Sequence, residues 1–199
     1  MTSTRTTWRR TLDSLAFEQA GYFSAAQAVA VGYSYQAQKY HVDAGNWVRV
    51  DRGIFRLRGW PLGSEDVYVR WTLWSGGRGV VSHDSALAVH GLSDVDPVKV
   101  HLTVPPGFGA TDDLVELHVG DLAEDERDQR RGWAVTTPLR TLADVAATDA
   151  SQEQVDRAVA DALRLGLVTR RRLLRTSADL AAHAALRVER ALAKAEANA

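Results

Sequence analysis

The first sixty residues carry polar and apolar positions at helical spacing. Leu12, Leu15, Ala16 and Gln19 follow the i, i+3, i+4, i+7 rule across residues 8–20, and Gly21 closes the run like a C-cap. Ser24 stands at capping-box spacing from Gln27 and opens a short Ala-rich helix over residues 25–31, which Gly32 ends. After Gly32-Tyr33, Ser34 caps a third helix reaching about Ala44, where Gly45-Asn46 turns the chain. On this helix Tyr33, Ala37, Tyr40 and Val42 are expected to face inward, and Tyr35, Gln36, Gln38, Lys39 and His41 to include the outward polar groups. Trp47, Val48 and Val50 then lead to the turn Asp51-Arg52-Gly53, followed by Ile54-Phe55-Arg56-Leu57-Arg58, so two short strands flank a glycine-containing turn. Three helices and a hairpin give the order of a winged helix-turn-helix.

Gly59, Pro61 and Gly63 mark a linker, so the pattern predicts a winged helix over residues 1–61 and a larger body over 62–199. In the body Ser64 is expected to cap a helix with Tyr68, Trp71 and Trp74 as its buried stripe. Val80-Val81 reads as a short strand, and Ser82 opens a helix that stops at Gly91. Residues 98–104 and 114–119 alternate as strands, separated by Pro105-Pro106-Gly107. Thr137-Pro138 starts a helix, Ser151 and Gln154 form a second capping box, and Ala- and Arg-rich helices follow from Thr169 and Leu180. The fold class is therefore α+β: an N-terminal winged helix-turn-helix, then a mixed α/β body ending in helices.

Composition narrows the function. A chain of 199 residues with 45% hydrophobic and 25% charged residues buries a real core rather than remaining disordered. The absence of cysteine excludes disulfides, thiolate nucleophiles and thiolate-bound metals, and suits a reducing, cytoplasmic setting. No stretch reaches the roughly 18 apolar residues of a membrane span, so no membrane partner is expected. The net charge of −1 divides unevenly, with residues 1–61 at +4 and the remainder at −5. A basic head on an acidic body points to a polyanion-binding module. The expected DNA-contacting residues are Ser34, Tyr35, Gln36, Gln38, Lys39 and His41 on the third helix, with Arg49, Arg52, Arg56 and Arg58 on the wing. A winged helix used only for protein contacts, its arginines solvated, is the alternative.

Other constellations carry less. Ser82-His83-Asp84-Ser85 sets a nucleophile, base and acid side by side, but a triad needs groups converging from separate elements. His83 and His90 lie at helical spacing without a third ligand, and Asp113 with Glu116 precedes His118 where a metal nuclease carries lysine. Gly76-Gly77-Arg78-Gly79 lacks the spacing of a phosphate loop. No catalytic residue, metal or cofactor is expected. An acidic cluster (Asp121, Glu124, Asp125, Glu126, Asp128) and a basic one (Arg164, Arg170, Arg171, Arg172, Arg175) remain, either as solvated faces or as mutual partners.

Several blocks together resemble the AbiEi-type antitoxins of type IV toxin-antitoxin systems. Gly21-Tyr-Phe-Ser-Ala-Ala-Gln-Ala and Val50-Asp-Arg-Gly-Ile-Phe-Arg-Leu are similar to that family's N-terminal winged-helix domain. Val81-Ser-His-Asp-Ser-Ala-Leu-Ala-Val-His-Gly-Leu and Thr136-Thr-Pro-Leu-Arg-Thr-Leu-Ala-Asp resemble two blocks of its larger C-terminal domain. The resemblance covers about residues 15–165. It implies a non-enzymatic repressor of its own promoter, with double-stranded DNA and a nucleotidyltransferase-like toxin as partners. The reading helix would span residues 34–44 and the wing 47–58. Some relatives continue into an endonuclease-like domain that this sequence does not contain. A solitary winged-helix regulator or an interaction scaffold is the other reading. Because one helix discriminates too few base pairs, two copies are expected to bind inverted repeats cooperatively.

Overall fold

A computed structural model describes residues 2–197 and shows a mixed α+β chain dividing into two compact units. The first runs to Arg78 and includes Arg130–Trp133; the second comprises Gly79–Gln129 and the chain from Ala134 onward.

In the first unit α1 (Thr2–Glu18), α2 (Ala25–Val31) and α3 (Tyr35–Asp43) accompany a sheet of β1 (Tyr22–Ser24), β2 (Trp47–Asp51) and β3 (Ile54–Leu57), ordered β1-β3-β2 and antiparallel throughout. Helix α2 starts as its sequence predicts. The Ser24 hydroxyl accepts the Gln27 amide at 3.1 Å, and the Gln27 carboxamide oxygen accepts the Ser24 amide at 2.8 Å. Gly32 makes the tight link to α3 possible, because its φ of +124° disfavours any side chain and a Cβ there would lie 2.4 Å from the Trp8 ring. The core joins Leu12 and Ala16 of α1 to Phe23, Ala28, Tyr33, Trp47 and Phe55. Trp47 meets Phe23 edge-on at 4.8 Å between centroids and Tyr33 at 5.1 Å, the aromatic geometry that adds to burial.

The unit boundary falls after Arg78 rather than Pro61, because α4 (Asp66–Trp74) packs with β1 and β3. Trp71 is fully buried, the Tyr22 hydroxyl donates to Asp66 at 3.2 Å, and Arg70 grips Asp51 at 2.7 Å. The helix begins at Glu65 with no side-chain cap, so the bond expected from Ser64 is not made.

A mixed five-stranded sheet, ordered β6-β5-β4-β8-β7, is formed by β4 (Val80–Val81), β5 (Val100–Val104), β6 (Val115–Val119), β7 (Arg127–Arg130) and β8 (Trp133–Thr136); Arg130 and Trp133 count with the first unit and its other residues with the second unit. Strand β4 runs antiparallel to β5 and parallel to β8, and β5 runs parallel to β6. Helices α5 (His83–His90), α6 (Pro138–Ala146), α7 (Gln152–Arg164), α8 (Arg170–Ser177) and α9 (Ala182–Ala197) complete the second unit. Ala158 and Ala162 of α7, with Ala184 and Ala191 of α9, are fully buried in a shared core with Leu142, Val155, Val159, Val188 and Leu192. Small side chains there let two helices approach closely, and the area removed from water holds them. Arg187 of α9 donates to the Ala146 carbonyl at 3.0 Å, a cation at the negative end of α6. The Ser151–Gln154 capping box forms only by half. Ser151 accepts the Gln154 amide, but the Gln154 side chain turns to Asp84 at 2.8 Å.

The buried amide of Gln38, described below, generates a stability prediction. Gln38→Leu keeps the volume but leaves the Tyr33 carbonyl without its donor, so chemical denaturation should show a loss of about 1 to 3 kcal/mol in the first unit. An unchanged unfolding midpoint contradicts this account.

Candidate nucleic-acid interface

Helix α3 is positioned at its start by Ser34, whose hydroxyl accepts the Ala37 amide at 3.2 Å. Its rotation is set by Gln38, which is 3% exposed and donates through Nε2 to the carbonyls of Ala25 and Tyr33, each at 3.1 Å. At 100° per residue, an inward position 38 also brings His41 and Val42 toward the core and turns Tyr35, Gln36, Lys39 and Tyr40 to solvent. Tyr35 is 71% and Tyr40 67% exposed. Two expectations are corrected: Gln38 is not an outward base reader, and Tyr40 does not face inward. The carbonyls of Ala25 and Tyr33 select an amide over a phenol ring at the buried site.

His41 also leaves the list of contact residues. Its ring stacks on Trp47 at 4.6 Å and 15°, and Nδ1 shares a 3.2 Å hydrogen bond with the Asn46 amide. Burial, followed by the charge of Arg9, lowers its pKa, so the neutral ring braces the end of α3. Lys39 remains exposed but pairs with Asp43 at 2.6 Å. An exposed pair of this kind adds little stability.

The turn between β2 and β3 is fastened from two sides. Gly53, at φ +73°, points its carbonyl at the Ala25 amide at 2.7 Å. Asp51 accepts the Arg52 amide at 2.6 Å through one oxygen and the Arg70 guanidinium at 2.7 Å through the other. The bond from Arg70 is the leading cause of the lowered Asp51 pKa, so the carboxylate keeps its charge and this pairing to lower pH than a free aspartate would. Arg52 is exposed, and Arg49, also exposed, holds its guanidinium 5.7 Å from the centroid of the Phe55 ring. Arg58 is exposed and donates to the Gly45 carbonyl at 3.1 Å, joining the sheet to the end of α3. Arg56 is half-buried over the Tyr22 ring at 5.8 Å, and its Nε lies buried without a hydrogen bond. Its guanidinium is thus engaged inside the unit, also donating to the Trp60 carbonyl at 3.5 Å, whereas Arg52 is exposed.

Sequence reasoning missed the contribution of α1. Arg5, Trp8 and Arg9 face Ser34, Gln36 and Tyr40 across a groove of about 800 Å³. The signal was present in the basic count of the first sixty residues, but helical periodicity alone does not say which arginines border α3.

The remaining constellations resolve into structure. Ser82 Oγ and His83 Nδ1 hydrogen-bond at 2.9 Å, with His83 at a left-handed φ of +50°. Ser82 is fully buried, however, and the Asp84 carboxylate accepts from Gln154, so no triad forms. His83 stacks on His118 at 3.4 Å and 11°, and His118 Nε2 meets His101 Nδ1 at 3.1 Å. Parallel stacked rings do not converge their lone pairs, and among the described residues no group of three or more His, Asp or Glu side chains is arranged to hold a metal ion. Glu126 of the acidic cluster pairs with Arg140 at 2.8 Å, and Arg170 of the basic cluster pairs with Glu196 at 2.5 Å. Among the described residues no helix is long and apolar enough to cross a membrane.

No family model and no curated protein matches the chain. Among solved structures it is similar to the crystal structure of the RV2827C protein from Mycobacterium tuberculosis, with a TM-score of 0.61 and 15% identity over 95% of this chain and 77% of that one. At such identity the likeness is one of fold.

The histidine stack generates a pH prediction. Burial, aided by His118 and His101, pushes the His83 pKa from 6.5 down to about 3. A base whose folded pKa lies below its unfolded value lends full stability above about pH 6.5 and loses it as pH falls toward 3, about 2.5 kcal/mol by pH 4.5. His83→Asn, a residue that tolerates positive φ, should therefore show a smaller drop in Tm between pH 7 and 4.5 than the parent chain. Equal drops contradict the assignment.

Proposed function

We propose that the chain is a DNA-binding transcriptional regulator whose first unit acts as a winged helix-turn-helix, with α3 in the major groove and the β2–β3 turn as its wing. One observation carries the reading: a helix capped by Ser34 and locked by Gln38 presents Tyr35, Gln36, Lys39 and Tyr40 outward, on the unit that also bears exposed Arg49 and Arg52. Gln36 is the base reader in this scheme, since a carboxamide pairs bidentately with adenine. Arg52, Arg49, Arg5 and Arg9 neutralise phosphates, and Arg58 does so after exchanging its carbonyl partner.

The resemblance to AbiEi-type antitoxins extends this proposal to repression of the chain's own promoter and to neutralisation of a nucleotidyltransferase-like toxin by the second unit. A cytoplasmic, non-enzymatic protein without cofactors suits that role.

Salt dependence tests the first part. Binding to the chain's own promoter should weaken as salt rises, and Arg52→Ala should reduce the slope by about one unit by removing one phosphate contact. Gln36→Ala should instead cost about 1 to 3 kcal/mol at particular base pairs. Salt-independent binding, or none, overturns the proposal. Cooperative pairing on inverted repeats is tested separately by shifting one half-site about five base pairs to the opposite face of the duplex. Affinity should fall, and constant affinity refutes pairing.

A further inference from the structure

We propose that Tyr35 and Tyr40 are specificity-determining residues that read thymine methyl groups, so that the preferred duplex carries thymines at the margins of the α3 footprint; the inference rests on the DNA-binding reading above. The first unit buries Tyr22 and Tyr33 at 4% and 8% exposure but leaves Tyr35 and Tyr40 open on α3. Single exposed aromatics are ordinary, but two framing one polar strip are a pattern. At 100° per residue, Lys39, Asp43 and Gln36 fall between the two tyrosines, which border the strip about 140° apart.

A major groove about 12 Å wide admits a helix in this orientation. The middle of the strip meets the groove floor, where Gln36 pairs with a base edge and the Lys39–Asp43 pair leaves no net negative charge to repel the duplex. The borders meet the sides of the floor, where each thymine C5-methyl projects from its own strand. A phenol ring supplies apolar surface to that methyl, and its hydroxyl stays within reach of the phosphate wall. Tyr40 is braced for the task by the edge of His41, at 5.6 Å between centroids. Charge complementarity favours DNA over a protein as the occupant of this face: residues 1–61 carry net +4, and Arg5 and Arg9 line the groove beside Tyr40.

The test uses the full chain and a duplex of its own promoter, prepared with thymine and, position by position, with uracil, which lacks only the methyl. Removing a contacted methyl should lower affinity roughly three- to fivefold, the effect of exposing about one buried methyl group. Tyr35→Ala and Tyr40→Ala should each weaken binding to the thymine duplex and abolish the thymine–uracil difference at one set of positions. Tyr40→Phe, which keeps the ring, should retain it. Equal affinity of the parent chain for thymine and uracil duplexes overturns the inference while leaving DNA binding intact. Loss of affinity in the alanine variants with the thymine–uracil difference preserved also overturns it, assigning the rings to backbone contact. Absence of binding to either duplex removes the DNA-binding reading itself.

Discussion

Burying an amide is costly unless both its protons are used, and Gln38 uses its Nε2 group on the carbonyls of Ala25 and Tyr33. Those acceptors belong to the start of α2 and the link into α3, so the bond pair fixes α3 both in position and in rotation. Nearly everything proposed for the first unit depends on that rotation. A turn of one residue, about 100°, would put Ala37 and Tyr40, or Tyr35 and Gln38, where Gln36 and Lys39 stand. Apolar packing alone fills volume without choosing so sharply among rotations. Directional bonds to two carbonyls do choose.

The same division between packing and direction organises the second unit. The two blocks that resemble the antitoxin family lie on α5 and α6 with their flanking strands. Their residues mostly hold one another. His90 donates to the Thr136 carbonyl at 2.7 Å, Thr136 and Thr141 share a 2.7 Å hydroxyl contact, and Arg140 binds Asp144 at 2.7 Å and Glu126 at 2.8 Å. Burial nevertheless raises the Asp144 pKa against the pull of Arg140. The arginine thus bridges two carboxylates, one of which keeps a buried oxygen, Asp144 Oδ2, without a hydrogen bond. Motifs that looked chemical in the sequence thus account for an arrangement of helices on a sheet.

What was legible in the sequence follows from the same physics. Helices with local caps were readable because Ser24, Ser34, Thr137 and Ser151 act within three residues of themselves. Three strands were not. Strand β1 has three residues, too few for an alternating pattern; β7 reads Arg-Asp-Gln-Arg; and β8 is buried at all four positions, so it shows no alternation. The inward and outward faces of α3 were misjudged at Tyr40 and Gln38, since both side chains combine apolar and polar surface and only the acceptors across the core distinguish them. Arg56 looked like a wing cation because its burial over Tyr22 depends on β1, which had gone unseen.

The missed strands and the misplaced boundary have one cause, and it bears on where function can be localised. Residues 1–61 hold the helices and the hairpin, yet Asp51 at the turn is paired with Arg70, beyond that boundary. Tyr22 likewise finds its acceptor at Asp66, and Tyr68 of α4 packs its ring 4.7 Å from Trp133, inside the segment Arg130–Trp133 that completes the first unit. A cut at Pro61 would leave a carboxylate beside the proposed phosphate-binding tip without its cation and expose the face that Trp71 covers. The first unit is therefore discontinuous in the chain, and its sheet, turn and α3 share it with residues beyond Pro61. Point substitutions on the solvent side of α3 and the β2–β3 turn therefore test the proposed DNA contact apart from folding in a way that shortening the chain does not.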